Sequence, residues 1–194
     1  MSDGRLIVLS APSGTGKTSV CKELLKRNPE WSFSISVTTR EPREGEVDGV
    51  DYIFMRDEKF KHMAHFGDFI EWEWVHGNKY GTLMSTLDDA LDEGKIMLLD
   101  IDVKGGKSIT EEFPDEVISI FIEPPGDNIT EKKEVLEERL KLRANTPYTL
   151  VKKRLKRLDL ELEYKENFQH HYVNYDLEEI INEIENTIKE QLDK

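Results

Sequence analysis

The chain has a single cysteine, Cys21, among 194 residues. One thiol cannot close an intramolecular disulfide. Set in an apolar-periodic stretch, it reads as a small packed side chain, and a reducing cytoplasm is the expected setting. No apolar run approaches the ~20 residues that span a bilayer. Residues 1–6 lack the apolar core of a secretory signal. There is no internal repeat and no low-complexity tract. The histidines carry no metal-ligand spacing: His62 and His65 are three apart, and His170 and His171 are adjacent, without a cysteine or carboxylate in step. Positive charge is scarce. Lys and Arg number 27 against 40 Asp and Glu, giving a net charge of -13. That excludes bulk nucleic-acid binding, which needs a basic surface. The exception is local: residues 139–157 hold eight Lys or Arg and no acid. Such a segment in an acidic protein suits a grip on phosphates, or else the solvated face of a helix.

What is present is centred on residues 6–25. Leu6-Ile7-Val8-Leu9 is a short apolar run. Ser10-Ala11-Pro12-Ser13-Gly14-Thr15-Gly16-Lys17-Thr18 follows, and Val20, Leu24 and Leu25 recur at helical spacing. The pattern predicts a buried strand, a tight loop and a helix start. Gly16-Lys17-Thr18 ends a phosphate-binding loop. Glycines let backbone N–H groups curl around phosphate oxygens, and the helix N-terminus adds partial positive charge. Lys17 reaches the terminal phosphates, and the Thr18 hydroxyl suits Mg²⁺. Ala11 stands where the general pattern has a first glycine, which requires a backbone without strongly positive φ there.

Along the chain, Asn28-Pro29 ends the first helix. Phe33, Ile35 and Val37 alternate with serines and predict one strand. A breaker-rich loop carries Arg40 and Arg43. Tyr52-Ile53-Phe54-Met55 predicts a strand. Asp57 is placed to cap a helix with Phe60, Met63, Ala64 and Phe66 on its apolar side. Residues 69–75 read as a strand, 77–82 as a turn, and 83–91 as a helix. Ile96-Met97-Leu98-Leu99 is apolar throughout and ends in Asp100, as a strand buried on both faces does. A further helix and the strand 117–122 follow. Residues 130–143 predict a helix capped by Thr130. After Asn145-Thr146-Pro147 one longer helix runs to about Phe168, then a short strand at 170–174. Leu177, Ile180, Ile181, Ile184, Ile188 and Leu192 trace one face of a last helix. Strands alternating with helices indicate a parallel α/β sheet.

Asp100 is the natural partner of the loop, since a strand-end aspartate helps hold Mg²⁺ beside the loop hydroxyl. Arg40, Arg43, Tyr52 and Tyr80 form a set that can bind a second phosphate, the arginines by bidentate forks. Arg139, Arg143 and Arg154 are candidates to neutralise charge during phosphoryl transfer. Glu71, on an aromatic strand, can accept two N–H bonds from an amidine-like edge, which guanine offers and adenine does not.

Four blocks carry a resemblance. They are the loop at 10–18; Ser36-Val37-Thr38-Thr39-Arg40-Glu41-Pro42-Arg43-Glu44-Gly45-Glu46 with Gly49 and Asp51-Tyr52; Phe69-Ile70-Glu71-Trp72 with Gly77-Asn78-Lys79-Tyr80-Gly81-Thr82; and Leu99-Asp100-Ile101-Asp102. From Arg5 to about Ile188 the chain closely resembles the guanylate kinase family. The resemblance implies an α/β P-loop NTPase fold in one domain, residues 1–194. Its core would span 1–36, 83–125 and 155–194, with a mixed α/β GMP-binding region at 37–82 and a helical lid at 126–154. It implies transfer of the γ-phosphoryl of ATP to GMP, giving ADP and GDP, within purine nucleotide metabolism. ATP would lie on Ala11, Pro12, Ser13, Gly14, Thr15, Gly16, Lys17, Thr18 and Ser19, with Asn174 by the adenine. Mg²⁺ would be held by Thr18 and Asp100, partly through water. Ser36, Glu71 and Thr82 would contact guanine, with Asp102 near. Arg40, Arg43, Tyr52 and Tyr80 would hold the GMP phosphate. Lys17, Arg40, Arg139, Arg143 and Arg154 would act on the transferring group. The implied partners are ATP and GMP, with dGMP left open, no nucleic acid, no membrane, and a monomer or small homo-oligomer. Closure is expected at joints near 36–43, 82, 124–126 and 145–147.

The chain departs from the family pattern at Lys104 (usually glutamine), Ala144 (usually glycine), Tyr175 (commonly acidic) and a longer lid entry at 126–133. Two other readings stay open at this stage: a non-catalytic scaffold module of the same fold, and a kinase for another phosphorylated acceptor.

Overall fold

The computed structural model describes residues 4–75, 77–142 and 148–193. Nine strands and eight α-helices are described, in two sheets. β1 (Arg5–Ser10) is the middle of the first sheet, and α1 (Lys17–Arg27) follows the phosphate loop. β2 (Ser32–Phe33), β7 (Ile96–Asp100), β8 (Val117–Glu123) and β9 (His170–Val173) complete that sheet in the order β2-β7-β1-β8-β9, with every pairing parallel. Its three middle strands are apolar because both faces are covered. Ile7, Leu9, Leu98, Ile118, Ile120 and Ile122 face α1 and α8 (Leu177–Leu192), meeting Val20, Leu24, Ile180, Ile181, Ile184 and Ile188. Leu6, Val8, Met97, Leu99 and Phe121 face the other way, towards α3 (Met84–Asp92), α4 (Val103–Glu112) and Phe168. The period of two along each strand sends alternate side chains to the two layers.

The second sheet is β4-β3-β6-β5, with β3 (Val37–Thr38), β4 (Ile53–Phe54), β5 (Phe69–Val75) and β6 (Asn78–Leu83). α2 (Asp57–Phe66) buries Phe60 against Val37 and Phe69, the two rings stacked at 4.4 Å. α5 (Ile129–Leu142), α6 (Tyr148–Leu155), α7 (Leu158–Glu163) and a 3₁₀ turn (Tyr164–Asn167) connect β8 to β9.

Several boundaries differ from the sequence reading. The strand expected from Phe33 to Val37 is two strands in different sheets. After β2 the Ser34 amide still donates to Leu98 O, and by Val37 the chain pairs with Gly81 of β6. The expected turn at 77–82 is mostly β6, because Lys79, Tyr80 and Thr82 find ladder partners despite the glycines. Asp57 is the first residue of α2 rather than its cap, and its carboxylate pairs with Lys61 and Lys79. Phe66 is exposed, not packed. Asn128, not Thr130, caps α5, its Oδ1 accepting from the amides of Thr130 and Glu131. The long helix expected to reach Phe168 breaks at Lys156 and Arg157, where α6 gives way to α7. The expected helix end at Arg143 and the break at 145–147 fall outside the described residues.

α8 closes one face of the sheet with Ile180, Ile181, Ile184 and Ile188, and Ile184 is wholly buried. Ile184→Ala is expected to cost ~2–5 kcal/mol of unfolding free energy, read as a lower urea midpoint. An unchanged midpoint would show that α8 is not integral to the core.

Candidate active site

The parallel register sets the site at the C-terminal ends of the strands. Leu9 pairs with Asp100 and Ser10 with Phe121, so the loop after β1 lies beside the end of β7. Gly14 and Gly16 have φ of 97° and 106°. These left-handed steps turn consecutive N–H groups into one concavity. Space is tight as well: a Cβ on Gly16 would lie 2.7 Å from Asn174 Nδ2, and one on Gly14 would press on Leu140 Cγ at 3.1 Å. The Thr15 amide donates to Pro12 O at 3.1 Å. From behind, Asn174 Nδ2 donates to Thr15 O at 2.6 Å, and Arg139 of α5 donates to Thr15 O and Asn174 O at 3.4 and 3.0 Å. Two predicted nucleotide residues therefore brace the loop itself.

In front, the Lys17 ammonium pairs with Asp100 Oδ1 at 2.7 Å and donates to Ile101 O. The Thr18 hydroxyl donates to Asp100 Oδ2 at 3.3 Å. A cavity of about 200 Å³ opens here, lined by residues 11–14 and 16–18 with Asp102 and Glu161. A larger hollow, about 810 Å³, lies past the N-terminal ends of the strands, beside Arg5, Asp88, Asp92, Glu93, Asp115 and Glu116. It is not the nucleotide site: its carboxylates repel phosphate, and nucleotides bind open parallel sheets at the other end of the strands.

The second sheet supplies the other half. Tyr80 OH accepts from Arg40 Nε at 3.2 Å, and Tyr52 packs edge-on to Tyr80 with Arg40 over its ring. Both Arg40 Nη atoms donate to Glu46, at 2.8 and 2.9 Å. Three of the four predicted phosphate ligands thus form one cluster. Arg43 is exposed, and its described bonds are made by its backbone: its amide donates to Glu46 Oε2, and its carbonyl accepts from the Glu46 amide. Ser36 is half-buried just before β3.

Glu71 points from β5 towards α4. Its Oε1 accepts from Thr82 Oγ1 across the sheet at 2.8 Å. A Cβ on Gly105 would lie 2.8 Å from Glu71 Cγ, so only bare backbone lets this carboxylate sit against α4. Asp102 caps α4, its Oδ1 accepting from the amides of Lys104 and Gly105. Burial pushes the Glu71 carboxyl up to about 7; the Thr82 hydroxyl pulls it down, and the negative charges of Asp102 and Glu73 push it up further.

Around Asp102 lie groups the sequence reading passed over. Arg157, at the joint of α6 and α7, donates to Glu73 Oε1 at 2.9 Å and lies 3.8 Å from Asp102 and 3.9 Å from Glu161. Burial and the neighbouring Asp102 carboxylate raise Glu73 from its ordinary value. Burial works to raise Asp102 too, but Glu73, the Gly105 amide, Lys17 and Arg157 together hold it below the usual range. Burial lifts Glu161 to about 6 against the pull of Arg157 and Lys17. Glu73 was legible, two residues from Glu71 and so on the same strand face. Arg157 stood in the basic run, whereas Gly105 and Glu161 gave no signal. Arg154 is half-buried on α6, with no described partner for its guanidinium, and Arg143 lies outside the described residues.

Residues 3–191 match the family model for guanylate kinase. This chain belongs to the guanylate kinase family. A guanylate kinase of Chlorobium luteolum is 43% identical, over 92% of this chain and 87% of that one. One of Helicobacter pylori is 41% identical, over 98% and 91%. The crystal structure of guanylate kinase from Anaplasma phagocytophilum aligns with a TM-score of 0.75 at 34% identity, covering all of this chain and 89% of that one. With the family comes the activity, and the chain is an enzyme that phosphorylates GMP with ATP. The scaffold reading and the reading as a kinase for another acceptor give way to this one. Among the described residues no helix is long and apolar enough to cross a membrane.

A guanylate kinase carrying an ionised Glu71 bears a cost before substrate arrives. Raising a carboxyl from 4.5 to about 7 leaves the folded state penalised above the unfolded value. The penalty grows from pH 4.5 to about 7 and then levels, at ~3 kcal/mol. Glu71→Gln keeps an acceptor for Thr82 and removes the charge. It is expected to stabilise the ligand-free protein at pH 8 and to change it little near pH 4.5, by denaturant melts at both. An equal effect at both pH values would contradict the shift.

Proposed function

We propose that GMP lies between the second sheet and the N-terminus of α4, with its base on Ser36, Glu71 and Thr82 and with Asp102 adjacent. Arg40, Arg43, Tyr52 and Tyr80 take its phosphate, and the phosphates of ATP lie on residues 11–19. The observation that carries this reading is Glu71, a half-buried carboxylate aligned by Thr82 against the first turn of α4, whose cap Asp102 lines the phosphate-loop cavity. Guanine presents two adjacent N–H donors to such a group, where adenine presents an acceptor. Their donation favours the ionised form that burial disfavours.

Lys17 waits on Asp100 and Ile101 O in this structure. Transfer requires its ammonium to turn to the β- and γ-phosphates, where developing charge is greatest. Arg40 is held by Glu46, so an arriving phosphate meets a guanidinium already oriented by a carboxylate and a phenol. Arg139, Arg143 and Arg154 are assigned to the transferring group. Asn174 is assigned to the ATP site, where it braces the loop. Guanylate kinases generally use Mg²⁺ with ATP, and the residues fit it. Thr18 Oγ1 and Asp100 Oδ2 are two hard oxygens side by side. Among the described residues no cluster of three or more ligating side chains competes. That suits an ion bound mainly by phosphates and water. When bound, it would neutralise charge on the β- and γ-oxygens.

Three regions, a core, a GMP-binding part at 37–82 and a lid at 126–154, remain the working division. Of the lid, α5 is bonded to the core through Lys132 to Glu123 and Arg139 to Thr15. Closure is therefore assigned to α6 and the second sheet. The chain is proposed to act in solution, in the cytoplasm, on free nucleotides.

An acceptor screen with ATP tests the reading. GMP should be used, and AMP and CMP poorly. Glu71→Gln should raise KM for GMP by about 10–100-fold, the ~1–3 kcal/mol of a mismatched hydrogen bond, and leave KM for ATP unchanged. In Lys17→Ala, kcat should fall by about 10²–10³ in a folded protein. An unchanged KM for GMP in Glu71→Gln overturns the base assignment.

A further inference from the structure

We propose that Arg157 and Glu73 form a positioning pair that aligns α6, and with it Arg154, against the guanine-reading strand. This rests on the base and lid assignments above. Arg157 occupies the two-residue joint where the helix expected from sequence breaks. Its backbone is tied both ways: its amide donates to Arg154 O at 3.1 Å, and its carbonyl accepts from the Glu161 amide at 2.9 Å. Its side chain leaves that joint and ends on Glu73 of β5 at 2.9 Å, with Asp102 Oδ2 at 3.8 Å. Glu73 lies two residues from Glu71 on the same face of the strand. One guanidinium thus connects the residue run that carries Arg154 to the strand that reads the base.

The charges show why a cation is needed there. Glu73, Asp102 and Glu161 are three carboxyl groups gathered on Arg157. Lys17 also acts on Asp102 and Glu161, but transfer requires it elsewhere. Without Arg157 the carboxyl groups repel one another and the two incoming nucleotides, and β5 parts from the α6–α7 joint. The pair contributes little to folding. Arg157 and Glu73 side chains are 39% and 30% exposed, and ion pairs this wet are weakly stabilising. Its effect therefore belongs in turnover, where a small misplacement of a charged group is costly.

The test compares Arg157→Met, Glu73→Gln, the double variant and Arg157→Lys, with Glu71→Gln assayed alongside. Each single loss is expected to lower kcat about tenfold, with KM for ATP and the thermal midpoint close to wild type. The double variant should be no worse than the weaker single, and Arg157→Lys should keep most of kcat. Wild-type kinetics in both singles, losses that multiply in the double, or a kcat loss that merely tracks a lowered midpoint would each overturn the pairing. If Glu71→Gln raises KM for GMP while the Arg157 and Glu73 variants behave as wild type, the pairing alone fails. If Glu71→Gln leaves that KM unchanged, the base assignment beneath it fails.

Discussion

The contact of Glu71 with the bare backbone of Gly105 is the joint on which both halves of the site depend. β5 belongs to the second sheet and α4 to the core, and they meet at this point. A methyl group on Gly105 would strike Glu71 Cγ and the side chain of Ile101 together. Because it is absent, the carboxylate sits beside the N-terminus of α4, whose cap, Asp102, lines the phosphate-loop cavity. The proposed base reader and the phosphate-loop cavity thereby meet at the same end of α4. Burial is the price of that geometry, and it appears as a carboxyl lifted to about 7.

The same crowding governs the charges. The protein is acidic overall, yet its task is to bring two polyanions together. Three cations near the site are each held by a carboxylate while they wait: Lys17 by Asp100, Arg40 by Glu46, Arg157 by Glu73. Such pairing keeps guanidinium and ammonium groups from repelling one another, and it presets their direction. A phosphate then displaces or joins a partner instead of ordering a free side chain, which lowers the entropic cost of binding.

Legibility in the sequence followed how local the cause was. The loop and its flanks were readable because strand, glycines and helix start are consecutive, and each has its own steric reason. α8 was readable because six apolar residues keep one period. The segment from Phe33 to Val37 alternates correctly, but alternation does not say which sheet receives each half, and the chain changes sheets between them. At 77–82 glycine content outweighed ladder partners that lie far off in sequence. Thr130 has the composition of a cap, but Asn128 is better placed; Asp57 lies one residue inside α2, whose N-cap position, Arg56, makes no side-chain cap bond. Arg157 was visible only as one charge in a run. Its partner Glu73 is 84 residues away, and no local pattern connects them.

The central claim is that Glu71 meets guanine as a carboxylate whose pKa burial has raised far above the usual value. Carbon-13 NMR of the Glu71 carboxyl through a pH titration, with and without GMP, reads this directly. The account predicts a midpoint near 7 in the free protein and a fall well below it with GMP bound, with a proton released on binding near pH 6. A midpoint near 4.5 in both states, with no proton released, would contradict it.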